Sequence, residues 1–166
     1  MVTGQKKPTA MLREDHEKVL LKLSALERVM SGLDKKEAVS TTLKELASFF
    51  KTDFWVHFAK EEEALFPEME KFIPRDAGPI GVMLMEHEDL RNTNAQLQPA
   101  IEEYLRGSND ARAKGMMQRY GAHFIEVLRN HIAKENDILF MMADMHLDQA
   151  QMDKVIKLFQ EIEKAE

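Results

Sequence analysis

Apolar residues recur along this chain at intervals of three and four, the period of helices with one buried face. No stretch alternates Val, Ile or Thr with polar residues as a half-buried strand would. Start and stop signals divide the pattern into five segments. Thr9, after Pro8, is expected to cap a first helix that runs to about Met30 and ends at Ser31-Gly32. Asp34 with Glu37 reads as a capping box for a second helix, which Pro67 should close. Pro79 suits the first turn of a third helix, and Pro99 inside it should kink or briefly break it before Gly107. Ser108, Asn109 or Asp110 should cap a fourth helix reaching about Met142. From about Asp148, Met152, Val155, Leu158, Phe159 and Ile162 form one last apolar stripe.

Four long helices with short connections predict an all-α, up-down-up-down four-helix bundle with an additional C-terminal helix. The bundle should span residues 10–143 and the last helix 147–166, after a flexible N-terminus of residues 1–9. The terminal stripe is expected to pack on its own bundle, since exposed apolar area of that size is a liability; it could otherwise form the seam of a homo-oligomer.

Composition narrows the chemistry. The 166 residues include no cysteine, which excludes disulfides, thiolate metal sites and cysteine nucleophiles. The net charge is −6, with Lys and Arg scattered among carboxylates, so neither a nucleic-acid surface nor an anionic membrane surface is expected. The longest apolar run, Ile138 to Ala143, is too short to span a bilayer, and the N-terminus lacks the apolar stretch of a secretory signal. A cytoplasmic protein is the expectation.

Six histidines change the picture. Residues 57–66 read HFAKEEEALF and residues 131–140 read HIAKENDILF, sharing six of ten positions in register. Upstream, Asp15-His16-Glu17 and Glu86-His87-Glu88 repeat at a similar separation. Each half of the chain therefore offers one helix with a single His and one with His-x-x-x-Glu. Residues i and i+4 share a helix face, so His57 with Glu61 and His131 with Glu135 can converge in a bundle interior, with His16 and His87 completing the ring. Four imidazoles and two bridging carboxylates, with one bridging oxide or hydroxide, fill all but one position on each of two octahedral ions. Nitrogen and oxygen donors suit iron, manganese or zinc, and two adjacent six-coordinate ions favour iron or manganese over zinc.

Other residues are read as supporting. Phe50, Phe54, Phe124 and Leu128 share the ligand faces and should line the pocket. Asp53 could orient an imidazole or lie on the surface, and Glu62 and Glu63 should face outward. His123, about 12 Å along the helix from His131, cannot share its metal and is expected to be buried or to support a ligand from behind. His146 should be solvated in a loop.

His16, His57-x-x-x-Glu61, His87 and His131-x-x-x-Glu135, with the phrases around them, resemble the hemerythrin-like, or HHE cation-binding, family over roughly residues 10–143. The resemblance implies a non-haem di-iron centre, with the four histidines terminal and Glu61 and Glu135 bridging. Its ligand would be a small diatomic or peroxide: dioxygen, nitric oxide or peroxide to be bound, sensed or transformed. Oxygen-carrying hemerythrins have a further histidine one turn after the third-helix ligand, where this chain has Arg91. That departure removes an imidazole and brings a cation able to attract anionic or polar ligands. A di-metal oxidase or catalase-like enzyme, and a helical interaction module with a structural metal, are the alternatives.

Overall fold

A computed structural model describes residues 6–76, 78–107 and 110–165 of the chain, and among them there is no strand. The helices are α1 (Pro8–Ser31), α2 (Lys36–Lys51), α3 (Phe54–Lys60), α4 (Phe66–Met69), α5 (Pro79–Arg106), α6 (Asp110–Lys134), α7 (Phe140–His146) and α8 (Gln149–Lys164). Two π-helical turns, Glu61–Leu65 and Glu135–Leu139, join α3 to α4 and α6 to α7. The four rods of the bundle are therefore α1, α2 to α4, α5, and α6 to α7. Consecutive rods pack together and α6 closes the ring against α1, the up-down-up-down arrangement.

Local chemistry explains where the elements depart from expectation. Thr9 does not cap α1; Lys7 is the cap residue, Pro8 opens the helix, and the Thr9 hydroxyl donates to Asp144 Oδ1 at 2.5 Å. Residues 1–5 of the segment expected to be flexible lie outside the described residues. Asp34 accepts from Lys114 instead of forming a capping box, and α2 starts after Lys35 without a side-chain cap. The second rod breaks at Thr52-Asp53, and the freed carbonyl of Phe50 accepts from Trp55 Nε1 at 2.8 Å and Asn94 Nδ2 at 2.9 Å. Pro67 does not close that rod. It falls in the first turn of α4, just after a π turn, where a missing N–H is tolerated. Pro99 leaves α5 unbroken. It and Ala95, whose carbonyl loses its partner, are exposed, so water can take that bond. Ser108 and Asn109 lie outside the described residues, and Asp110 is the first residue of α6 rather than its cap.

Helix α8 begins as expected. Asp148 Oδ1 accepts the Gln151 N–H at 2.8 Å, and Gln151 Oε1 accepts the Asp148 N–H at 3.0 Å. Met152, Val155, Ile156 and Phe159 are buried, and Leu158 and Ile162 are half-buried, as the stripe packs on α3, the first π turn and α1. Charge fastens the same helix: Lys154 donates to the buried Glu68 at 3.1 Å, which also accepts from Lys71 at 3.0 Å.

The core has two apolar clusters. One extends from Val19 and Leu90 past Phe50, Phe124 and Leu128 to the buried Tyr104, whose hydroxyl donates to the Leu33 carbonyl at 2.7 Å. The other gathers Leu12, Leu65, Phe66, Met83, Leu139 and Phe140 beneath α8. Between them lies a buried polar level of the bundle.

Candidate metal centre

That level holds His16, His57, Glu61, His87, His131 and Glu135, all buried, with both glutamates and two of the imidazoles at 0% exposure. The six side chains singled out from the sequence are thus brought together. They form two overlapping groups, His16, His57, Glu61 and Glu135, and Glu61, His87, His131 and Glu135, each with donor atoms within 4.8 Å of one another. The i, i+4 geometry is as expected: His57 Nε2 lies 3.2 Å from Glu61 Oε2, and His131 Nε2 lies 3.3 Å from Glu135 Oε1. Each glutamate also reaches a histidine of another rod, Glu61 to His87 Nε2 at 3.1 Å and Glu135 to His16 Nε2 at 3.0 Å.

The outward nitrogens fix how each ring points. His57 Nδ1 donates to Asp15 Oδ2 at 3.2 Å, His87 Nδ1 to Glu62 Oε2 at 2.5 Å, His131 Nδ1 to Glu86 Oε1 at 2.9 Å, and His16 Nδ1 to Asn136 Oδ1 at 2.8 Å. An ionised carboxylate only accepts, so these partners place the proton on Nδ1 and turn the Nε2 lone pair inward. Cations then hold the partners. Arg91 donates to both Glu62 oxygens at 2.9 Å, Lys134 donates to Glu86, and Lys60 lies 3.8 Å from Asp15. Lys60 and Lys134 occupy the same place in the repeat, which explains why the repeat retains a lysine. Burial pushes Asp15, Glu62 and Glu86 up, but the bonds from His57, His87 and His131 and the nearby cations outweigh it and hold all three carboxyls low.

With the Nδ1 protons pointing outward, the centre contains acceptors only. The Nε2 atoms of His16 and His57 are 3.1 Å apart, and those of His87 and His131 are 3.2 Å apart. All four oxygens of Glu61 and Glu135 are buried without a hydrogen-bond partner. Lone pairs this close, out of water, are tolerable only if positive charge lies among them. Protons can supply some of it. Burial disfavours charge on His131, yet Glu135 and the bond to Glu86 outweigh it and lift the ring to about 10. Burial likewise opposes the charging of His57 and His87, but Glu61 with Asp15, and Glu61 with Glu62, raise them. Glu135 is pushed up by burial and pulled well down, on balance, by His131. A set of buried imidazole and carboxylate donors in two overlapping groups also fits bound metal cations.

The family model of the hemerythrin HHE cation binding domain matches residues 7–143. The chain belongs to the hemerythrin family of HHE cation-binding domains. No curated protein and no solved structure matches it. In this hemerythrin domain both π turns begin at a glutamate of the cluster, Glu61 or Glu135, with the Phe66 and Phe140 N–H groups bonded five residues back to those two carbonyls. Such turns recur at functional sites. Here each lets two adjacent side chains serve one centre. Glu61 and Glu135 project inward, while Glu62 reaches the outer nitrogen of His87 and Asn136 that of His16.

Several expectations need correction. Glu62 is not an outward surface residue, because the π turn brings it onto His87. Arg91 is not available to attract a ligand; its guanidinium is occupied by Glu62 and lies over the Phe58 ring. Of the two places expected for Asp53, the surface is the one observed, and Asp15 orients His57. His123 is half exposed, at 49%, and pairs with Asp89 on the surface. His146 is exposed as expected, but as the last residue of α7 rather than in a loop. Phe50, Phe54, Phe124 and Leu128 are buried in the neighbouring apolar cluster. The rings stacked on the imidazoles are Phe58 and Phe66 on His87, at 3.7 and 6.0 Å, and Phe140 on His16 at 5.4 Å. Phe66 and Phe140 are the shared last letter of the repeat, a signal present in the sequence.

Proposed function

We propose that this hemerythrin domain is a non-haem di-iron protein in which His16, His57, His87 and His131 are terminal ligands and Glu61 and Glu135 bridge. It binds, senses or reacts with a small ligand such as dioxygen, nitric oxide or peroxide. The observation that carries the proposal is the pair of overlapping donor groups that share two glutamates with no hydrogen-bond partner on any carboxylate oxygen. When bound, the metals would supply a joint Lewis-acid and redox centre.

The residues of the chain supply the rest. Asp15, Glu62, Glu86 and Asn136 hold a proton on each Nδ1, so each Nε2 stays available inside. Lys60, Arg91 and Lys134 keep the three carboxylates ionised and in place. Phe58, Phe66 and Phe140 cover ring faces and exclude water, so what enters must be small and uncharged enough to pass an apolar shell. Among the described residues no helix is long and apolar enough to cross a membrane.

The test is metal analysis and absorption spectroscopy of the full chain, expressed with iron and purified in air. Two irons per chain with a charge-transfer band support the reading; protein without stoichiometric metal sinks it. Addition of peroxide then divides the chemistry, because consumption far beyond stoichiometry identifies an enzyme and a stable adduct identifies a binder.

A further inference from the structure

The two cation positions share Glu61 and Glu135 equally, so any difference between them must come from the histidines. The repeat supplies an internal comparison. Glu62 follows Glu61 and Asn136 follows Glu135, at the same place in the two ten-residue copies. Both side chains accept a hydrogen bond from an outward imidazole nitrogen. Glu62 accepts from His87 Nδ1 at 2.5 Å, and Asn136 accepts from His16 Nδ1 at 2.8 Å. One acceptor is anionic and the other is a neutral amide.

The consequence differs for the two pairs. His87 and His131 each lean on a carboxylate, Glu62 and Glu86. His57 leans on Asp15, but His16 has only the amide of Asn136. A carboxylate on Nδ1 draws the proton toward itself and makes Nε2 a stronger donor, whereas an amide does so weakly. The surroundings act in the same direction: Arg13 donates to the Asn136 carbonyl at 3.1 Å and stands 5.7 Å from the centroid of Phe140, the ring stacked on His16, with its countercharge Asp144 at 3.9 Å.

We propose that Asn136 is a positioning residue that makes the two positions unequal, so that the one bounded by His87 and His131 fills before the one bounded by His16 and His57. The inference rests on the two-metal reading above. Outer hydrogen-bond partners of metal-bound histidines typically change affinity by about 10- to 100-fold, and a preference of that order is expected here.

The probe is Zn2+, diamagnetic and redox-silent, titrated into the metal-free full chain labelled with 15N-histidine, with the four Nδ1–H resonances followed by NMR. In the wild type the first equivalent should move His87 and His131, and the second His16 and His57. Asn136→Asp, which restores the carboxylate at nearly constant shape, should make the first equivalent divide between both pairs. Glu62→Gln should blunt the preference from the other side, and it carries the test should Asn136→Asp not fold by circular dichroism. Simultaneous movement of all four resonances in the wild type, filling in the opposite order, or an order unchanged in the variants overturns the proposal. Fewer than two irons per chain in the metal analysis above removes the two-metal reading and this inference with it; Zn2+ bound in the wrong order removes this inference alone.

Discussion

His87 donates a hydrogen bond from Nδ1 to Glu62 at 2.5 Å, although Glu62 directly follows a glutamate whose own side chain is buried in the centre. Two neighbours in a regular helix point about 100° apart. The π turn that starts at Glu61 is what lets both serve one site. Glu62 in turn is gripped by Arg91 through both oxygens. Arg91→Ala should free Glu62 to swing into solvent and weaken metal binding by about 10-fold, the lower end for an outer hydrogen-bond partner. Chelator competition on the folded variant measures this, and unchanged affinity would show that Glu62 needs no support.

Proton and metal compete for the same lone pairs, which gives the metal-free protein a defined pH response. His131 is raised from 6.5 to about 10, so its contribution to stability is complete below about 6.5 and is lost as pH climbs through about 10. Glu135 is held well below 4.5, so its contribution is present above that value and is lost as acid protonates it in the folded state. The urea midpoint of the metal-free protein should therefore fall from neutral pH toward about pH 10. Loading the centre should flatten the alkaline limb, since a bound cation replaces the proton. A metal-free midpoint that stays level across this range contradicts the charge assignment.

Metal should also stabilise the fold by mass action. At a free concentration about 1,000 times the dissociation constant, a single site adds about 4 kcal/mol. For a chain of this size that raises Tm by on the order of 10 °C. Glu61→Ala and Glu135→Ala each remove a donor common to both positions and should abolish most of the rise. Thermal unfolding with and without metal reads the effect, and a full rise in both variants would exclude bridging by these residues.

Helix α8 offers a test away from the centre. Glu68 is buried at 4% exposure and binds Lys154 of α8 and Lys71. Burial pushes its carboxyl up, and the two lysines bring it down on balance. Both lysines are well exposed, so Glu68→Ala should cost only about 1–2 kcal/mol. Hydrogen exchange should show α8 loosening first, with metal content unchanged. Uniform loosening of the whole bundle would mean that the clamp is not local.

Legibility from the sequence follows the range of the signal. The bundle, the start of α8 at Asp148 and the six clustered side chains all rest on i, i+3 and i+4 spacing or on a repeat, which are visible in one dimension. The polar partners of the histidines are not. Asp15 and Glu86 each precede one histidine yet serve another across the bundle, His57 and His131, and no local rule announces such a pairing. Glu62 escapes a periodicity argument because regular helical geometry turns it outward and the π turn does not. Thr9 and Asp34 have the chemistry of caps, but Asp144 and Lys114 compete for them from other helices.

Each donor group draws three residues from one half of the chain and one glutamate from the other. His16, His57 and Glu61 are completed by Glu135, while His87, His131 and Glu135 are completed by Glu61. Neither half can therefore assemble a full donor group alone. Cutting the chain between Met69 and Pro79 would leave two fragments that still share the apolar core, and on the two-metal proposal bound cations would add a clasp between them that a chelator removes. For a protein whose sequence repeats in two halves, that exchange makes the paired form, not the single repeat, the smallest piece that holds a complete donor group.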